Sequence, residues 1–485
     1  MPDVPPRAAL AAASRMAIDD LLDNVPELLD LARRMTAAGH EVALVGGSVR
    51  DAVRLGRAAD LDLATSAHPR ATLAALEGWA DAVWDIGIEF GTVGARRGKH
   101  HVEITTYRSD AYDRTTRKPE VTYGESLLED LRRRDFTINA MAVTLPDRVF
   151  VDPFDGLADL AAHMLRTPAT PEESFADDPL RMMRAARFVA QLGVSVSPDV
   201  LAAMTAMAER ITMVSAERVR DELSKLLLAE DPRSGLELLV DTGLADHVLP
   251  ELPALRLEID EHHRHKDVYE HSLIVLDQAI DLEAAHEPPC PPDLVLRLAA
   301  LLHDIGKPRT RRFEHGGRVS FHHHEVVGAK LVRKRLTALR YPKVVVDEVS
   351  ALVELHLRFH GYGSGEWTDS AVRRYVRDAG DQLAQLHKLT RADCTTRNPR
   401  KAAALRRTYD ALEARIAVLE QAEELAAQRP DLDGHEIMGI LGIGPGREVG
   451  EAYRWLMERR LDEGPLGAER AERELRAWWS GRTPA

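Results

Sequence analysis

The sequence predicts an α+β fold: a mixed-sheet head, followed by helical segments to the end of the chain. Three observations carry this. Short apolar or alternating runs bounded by glycine and proline recur as far as Arg166, the signature of strands. From Ser174 onward these runs cease, and apolar residues recur at helical spacing. At 485 residues the chain exceeds what one hydrophobic core holds, so three or four domains are expected. The reading divides it into a disordered tail (1–24), a head (25–166), a helical neck (167–259), a histidine-rich domain (260–400) and a C-terminal helical body (401–485).

Composition narrows the class. A hydrophobic content of 45% and a charged content of 29% fit an ordinary soluble protein. Two cysteines, Cys290 and Cys394, build neither a disulfide framework nor a cysteine-based zinc site, which points to a reducing, cytoplasmic setting. No apolar run is long enough for a membrane span, and the alanine-rich start through Ala17 is too weakly apolar for a secretory signal. The net charge of −14 argues mildly against a nucleic-acid partner. Screening confines each charge to roughly 8–10 Å, however, so local patches outweigh the sum. Candidate patches are Arg96-Arg97-Gly98-Lys99, Arg132-Arg133-Arg134, and Arg181, Arg184 and Arg187.

In order, 25–39 reads as a helix with Leu28, Leu29, Leu31 and Met35 on one side and Gly39 as its stop. Strands are expected at 41–45, 61–64, 82–86, 91–96, 101–105 and 149–152, and helices at 49–55, 69–76 and 126–134. A turn is expected at Asp155-Gly156. Asp177-Asp178-Pro179 opens a long helix to Leu192, since acidic residues and proline suit a helix start. Further helices follow at 198–211, 216–228, 232–242, 295–306 and 401–428. Loops are expected at 288–292 and 361–365, and a tight interhelical turn within 441–450.

The chemistry concentrates in Val45–Thr65, VGGSVRDAVRLGRAADLDLAT. Gly46-Gly47 follow a short strand, where backbone N–H groups approach a phosphate and the next helix adds its positive end. Arg50 lies on that helix. Asp60 and Asp62 stand two apart in an alternating stretch, on one face of a strand. Carboxylates so placed repel each other unless a divalent cation lies between them. A turn or a surface strand explains either half alone; the two halves in one stretch point to a nucleotidyl-transfer site. Alternation in HVEIT, 101–105, puts Glu103 opposite Val102 and Ile104, where it is a candidate third carboxylate.

Two further sets follow. Arg134, in the triplet before Asp135, is a candidate phosphate clamp, because arginine forks onto phosphate and stays charged. Arg181, Arg184 and Arg187 recur every third residue, and their mutual repulsion favours an anionic partner. Asp178 and Arg181 together present an acceptor and donors suited to the edge of a base. In the second half, EHHRHKDVYEH (261–271), His303-Asp304 after an apolar helix, HHHE (322–325), Glu354–His356 and Asp393 form a metal-ligand pattern.

VGGSVRDAVRLG, DLDLAT, RRRDFTINAMA and DDPLRMMRAARF, in that order, resemble the bacterial class II CCA-adding tRNA nucleotidyltransferases and their poly(A) polymerase relatives. LLHDIGK and FHHHEVVGA resemble an HD phosphohydrolase domain. The resemblance implies a DNA polymerase beta-like nucleotidyltransferase head followed by all-α neck, HD and C-terminal domains. It implies that Gly46, Gly47 and Arg50 hold a triphosphate and that Asp60 and Asp62, with Glu103, hold two Mg2+ ions. Arg134 would contact the nucleotide, Asp178 and Arg181 would read its base, and Arg184 and Arg187 would lie beside it. His271, His303, Asp304 and Asp393 would hold a divalent metal of unspecified identity, with His324 and His356 as additional ligands. The implied partners are the tRNA 3′ end, CTP and ATP, with no membrane. The implied activity is template-independent addition of CMP, CMP and AMP. Alternatives are a poly(A) polymerase, an enzyme adding only part of CCA, a metal-dependent phosphohydrolase with a nucleotide-sensing head, and a non-catalytic RNA-binding protein.

Overall fold

The computed structural model describes residues 7–482 apart from 59, 86, 109–123, 125, 257–266, 286–290, 314–318, 362–366, 397 and 424–429. The histidines at 262, 263 and 265, Cys290, and most of the expected loops at 288–292 and 361–365 therefore lie outside the described residues. The chain divides into two compact units, Met1–Pro250 and Glu251–Ala485.

The first unit is built on a sheet of seven strands: β1 (Val42–Val45), β2 (Leu61–Thr65), β3 (Ala82–Trp84), β4 (Thr92–Arg97), β5 (His100–Thr106), β6 (Ala142–Leu145) and β7 (Val149–Val151). Their order across the sheet is β3-β4-β5-β2-β1-β6-β7. Only β2 and β5 pair in parallel, with Asp62 opposite Glu103; the other neighbours are antiparallel. All four residues of β1 are buried, as a central strand requires. β6 has no counterpart in the expected strands. Its run Ala142–Leu145 is short, and pairing with β1 rather than local pattern makes it a strand.

Helices α1 (Arg7–Asn24), α2 (Pro26–Ala37), α3 (Gly47–Leu55) and α4 (Pro69–Leu76) belong to the same half. Leu28, Leu31 and Met35 of α2 pack with Leu44, Leu63 and Ile104 of the sheet. The expected disordered tail is corrected here: 7–24 is helix. Ile18, Leu21, Leu22 and the following Val25 recur at helical spacing and are buried in that core. Asp19 and Asp23 pair with Arg148 at 3.3 and 2.6 Å.

Next come α5 (Leu127–Arg132), α6 (Gly156–Ala161) and α7 (Pro171–Asp177). The expected turn at Asp155-Gly156 is instead the start of α6. Thr170 and Glu173 form a reciprocal cap on α7. The long helix α8 runs Leu180–Leu192. Asp177 closes α7 rather than opening α8, and Asp178 is the extended residue between them. Strands β8 (Met164–Leu165) and β9 (Ser195–Val196) form a small parallel pair, and β9 lies within the stretch expected to be wholly helical. Helices α9 (Pro198–Met207), α10 (Ala216–Leu227), α11 (Pro232–Asp241) and α12 (Leu244–Val248) complete the unit.

In the second unit, α13 (Val268–Ala284), α14 (Leu294–Leu302), α15 (Lys307–Thr310), α16 (His324–Ala338), α17 (Lys343–Leu355), α18 (Asp369–Ala379) and α19 (Leu383–Ala392) surround a core that includes Leu273, Leu298, Val332, Leu352 and Leu389. α20 (Pro399–Glu423) follows, and then α21 (Gly434–Leu441), α22 (Arg447–Glu463) and α23 (Ala468–Ser480). The last three share a small core of Ile437, Ala452, Leu456, Ala471 and Leu475. Within the glycine-rich stretch at 441–450, residues 442–446 are the turn between α21 and α22, and α22 begins at Arg447. No described helix is long and apolar enough to cross a membrane.

Candidate active site

The head site forms where β1 ends. Gly46 has φ +69°, a conformation that disfavours any side chain, and a Cβ there would lie 2.6 Å from Arg134 Nη1. The turn therefore brings backbone and the Arg134 guanidinium together, and α3 begins at Gly47. Arg134 is held by Asp130 at 3.0 Å, and Arg133 binds the other oxygen of the same carboxylate at 3.1 Å. Asp130 is 1% exposed. Burial opposes its ionisation, but the two arginines hold its pKa below the usual carboxylate range.

Asp60 lies just before β2 and Asp62 within it, opposite Glu103 on β5. The three predicted carboxylates thus gather at two adjacent interior strands of the sheet. Burial, Glu103 and Asp60 push Asp62 up to about 6, against the pull of Arg134 and Arg50. A half-buried carboxylate so strained by like charges fits a divalent cation.

Three of the predicted arginines, Arg50, Arg184 and Arg187, are tied into one network. Arg50 grips Asp51 and donates to Asn139 Oδ1 at 2.7 Å. Asn139 donates to Asp135 Oδ1 at 2.9 Å. Asp135 Oδ2 accepts twice from Arg184, at 2.8 and 2.5 Å. Arg184 and Arg187 share Glu222 of α10. The repulsion among the arginines of α8 is therefore relieved by Asp135 and Glu222 of the chain itself. Arg50, Arg184 and Arg187 also lie over the Phe188 ring at 5.4, 5.4 and 4.3 Å. Burial opposes charge on Asp135, but Arg184 and Asn139 bring it down to about 2. Its depressed pKa contributes stability present above pH 3.8, the ordinary aspartate value, and lost as the pH falls through about 2. Asp135→Ala is expected to cost about 2–3 kcal/mol in urea unfolding at pH 7, because it removes the main anion of the partly buried Arg184.

Asp178 and Arg181 are neighbours with separate partners. Asp178 accepts from the Leu180 N–H at 3.1 Å and from Arg218 at 2.7 Å. Arg181 is buried and donates to Ser174 O and Oγ and to the Arg133 carbonyl. Asp130, Asn139, Glu222 and Arg218 escaped the sequence reading. Asp130 is visible in the i, i+3, i+4 spacing to Arg133 and Arg134. No local signal marks Glu222, which lies 35 residues from Arg187.

The second unit holds a separate cluster at converging helix ends. His303 and His356 follow α14 and α17, His324 opens α16, His271 lies in α13, and Asp393 caps α19. Gly306 permits the close approach: a Cβ there would meet His324 O at 2.1 Å. Nδ1 of His303, His324 and His356 lies 2.9, 2.8 and 2.6 Å from the carbonyl three residues earlier. Donation there leaves each Nε2 as a ligand. Two groups of ligand atoms gather within 4.8 Å: His271, His303 and Asp393, and Asp304, His324 and His356. His356 Nε2 is buried without a hydrogen-bond partner, while Lys307 Nζ lies 2.8 Å from Asp304 Oδ2 and His324 Nε2 3.2 Å from Asp304 Oδ1. An unpartnered buried nitrogen among gathered ligand atoms fits a bound cation. Burial opposes charge on His303, but Asp304 and Asp393 hold it up at about 9. Burial and the His303 charge push His356 down to about 3.

Comparison with known proteins decides the family. Residues 42–166 match the poly(A) polymerase head domain, 193–255 the probable RNA- and SrmB-binding site of polymerase A, and 268–398 the HD domain. The A-adding tRNA nucleotidyltransferase of Deinococcus radiodurans is 38% identical over 453 residues, 91% of this chain and 96% of that protein. The chain belongs to the tRNA nucleotidyltransferase family. A CCA-adding enzyme of Levilactobacillus brevis is 43% identical over 228 residues, 46% of this nucleotidyltransferase and 56% of the relative. The Bacillus stearothermophilus CCA-adding enzyme in complex with CTP is 26% identical, with a TM-score of 0.63, over 94% of this chain and 97% of that one. The Thermotoga maritima CCA-adding enzyme complexed with tRNA shares the fold, at 19% identity and a TM-score of 0.57 over 94% and 95% of the two chains. The mixed-sheet head and helical remainder expected from the sequence are the architecture of this family.

Proposed function

We propose that this enzyme acts in the cytoplasm and adds CMP, CMP and AMP to the 3′ end of tRNA from CTP and ATP, without a nucleic-acid template. The observation that carries the reading is the facing of Asp62 and Glu103 across β2 and β5, with Asp60 beside them and the Gly46-Gly47 turn adjacent. Two magnesium ions held by Asp60, Asp62 and Glu103 would supply activation of the tRNA 3′-hydroxyl and charge neutralisation at the leaving pyrophosphate. The Gly46-Gly47 backbone, Arg50 and Arg134 bind and orient the triphosphate in line with that hydroxyl. Arg184 and Arg187 lie beside the nucleotide and hold α8 in place through Asp135 and Glu222.

Base choice falls to Asp178 and Arg181. Cytosine and adenine both present an amino donor beside an unprotonated ring nitrogen; uracil and guanine present a carbonyl beside an N–H. An aspartate acceptor next to an arginine donor matches the first pair and leaves the second with unpaired buried groups. Of the five N–H donors of Arg181, three bonds engage Ser174 and the Arg133 carbonyl, which leaves donors for a base. Purified protein given tRNA truncated before CCA, with CTP alone, ATP alone or both, is expected to add C, then A only after C. Long tails from ATP alone would replace this reading with poly(A) polymerase. A second reading, addition of the terminal A only, is favoured by the near-complete match to the A-adding relative. Incorporation of ATP into tRNA ending in CC, with none of CTP into the shorter substrate, would establish it.

For the HD centre we propose metal-dependent phosphoester hydrolysis, supported by the two gathered groups of ligand atoms and the unpartnered buried Nε2 of His356. His271, His303 and Asp393 hold one ion and Asp304, His324 and His356 a second. Hydrolysis of bis-p-nitrophenyl phosphate by chelator-treated protein, restored on adding Mn2+, Ni2+ or Zn2+, tests it; no hydrolysis with any of them would leave the cluster a structural metal site.

A further inference from the structure

Ser48 stands at the junction of the two halves of the head site. It is the second residue of α3, directly after Gly47, and its side chain is buried, at 2% exposure. Its hydroxyl donates to the Asp60 carbonyl at 2.9 Å and accepts from the Asp62 N–H at 2.8 Å. One oxygen with one hydrogen makes both bonds, as a hydroxyl is able to do.

These bonds replace sheet pairing where the sheet runs out. The β1–β2 ladder pairs Val42 with Thr65, Ala43 with Ala64 and Leu44 with Leu63. Beyond Leu63, β1 turns away, and the Gly46 N–H goes to Met141 O. The backbone around Asp60 and Asp62 keeps its β5 neighbour but has no β1 neighbour, at the step that carries both carboxylates. Ser48 supplies the missing partner from α3.

We infer that Ser48 is a positioning residue for nucleotidyl transfer, tying the Asp60–Asp62 step to the first turn of α3. One side chain then sets the distance between the glycine turn and the carboxylates. It also restrains Asp60 and Asp62 against mutual repulsion and repulsion from Glu103, so that the cation meets preplaced ligands. Ser48 touches neither substrate nor metal in this role; it acts through the two aspartates.

The inference rests on the nucleotidyl-transfer reading, and the experiment separates the two. Initial rates of nucleotide addition to tRNA are measured with full-length protein against magnesium and nucleotide concentration, for wild type, Ser48→Ala and Ser48→Thr, alongside thermal melting. Ser48→Ala is expected to raise the magnesium concentration for half-maximal rate several-fold and to lower kcat about tenfold, the scale of one or two lost hydrogen bonds, with nucleotide KM changed by less than about threefold. Ser48→Thr keeps the hydroxyl and is expected to restore the magnesium requirement of the wild type. A serine of merely structural value would lower the melting temperature in Ser48→Ala and leave the magnesium requirement unchanged, which would overturn the inference. A wild type with no magnesium-dependent addition would instead overturn the underlying reading.

Discussion

Replacing Asp62 with asparagine is expected to lower nucleotidyl transfer by about 10³–10⁴-fold, while making the metal-free protein more stable at neutral pH. The two effects share one cause. Asp62 is half-buried, opposite Glu103 and near Asp60, so its negative charge is unfavourable until a cation is present. Asparagine keeps the shape and removes the charge. It therefore relieves the repulsion and forfeits the ligand. A catalytic cation contributes several kcal/mol of transition-state stabilisation, and each 1.36 kcal/mol is a factor of about ten in rate.

The pH dependence follows with a definite sign. The folded pKa of Asp62, about 6, lies above the ordinary aspartate value of 3.8. The folded state thus holds this proton more tightly than the unfolded state does. The contribution is fully present below pH 3.8 and is lost as the pH rises through about 6. A shift of this size converts to roughly 3 kcal/mol, which partial exposure reduces to about 1–2 kcal/mol. Urea unfolding in chelator at pH 4, 6 and 8 is expected to show that component declining in the wild type and absent in Asp62→Asn. Magnesium at pH 8 then stabilises the wild type more than the variant. Transfer within tenfold of wild type, or a variant several kcal/mol less stable at pH 7, would remove Asp62 from the metal site.

How far such a site is legible in sequence depends on the range of the contacts that make it. Gly46-Gly47, Asp60 and Asp62 declare themselves because a turn and a two-residue repeat are local. Glu103 needs only strand alternation to be placed on the right face, although its register opposite Asp62 comes from the pairing of β2 with β5. The HD ligands are legible for the same reason: a histidine–aspartate pair after an apolar helix is an unusual pair to bury. The arginines of α8 mark the limit. Their spacing correctly shows a row of charges in need of anions, but the anions are Asp135 and Glu222, brought from the head and from α10 by the fold. The helix at 7–24 was obscured by its alanine-rich start, although Ile18, Leu21, Leu22 and Val25 carry a helical stripe. Ser48 has no local signal either, since both its partners are backbone groups twelve and fourteen residues away.

At the HD centre the expected result runs the other way: Asp304→Ala is destabilising as well as inactivating. Asp304 is 1% exposed and lies 3.5, 3.2 and 3.2 Å from His271, His303 and His324 and 2.8 Å from Lys307. Several donors depend on this one carboxylate, whose pKa His303 and Lys307 hold well below the usual range despite burial. Removing it leaves buried cations without their anion, at a cost of about 3–5 kcal/mol in metal-free protein. The linked histidine supplies the pH signature. The folded pKa of His303, about 9, lies above the ordinary histidine value of 6.5, so its contribution is fully present below pH 6.5 and lost as the pH rises through about 9. In chelator, wild-type stability is expected to fall across that window, and the Asp304→Ala curve to flatten because the main anion holding the proton is gone. With metal present the ligand histidines are neutral, so the window closes in the wild type, and bound metal measured by elemental analysis drops in the variant. Unchanged metal content in Asp304→Ala would mean that His271, His303 and Asp393 hold an ion without Asp304, and that the second group, Asp304 with His324 and His356, binds none.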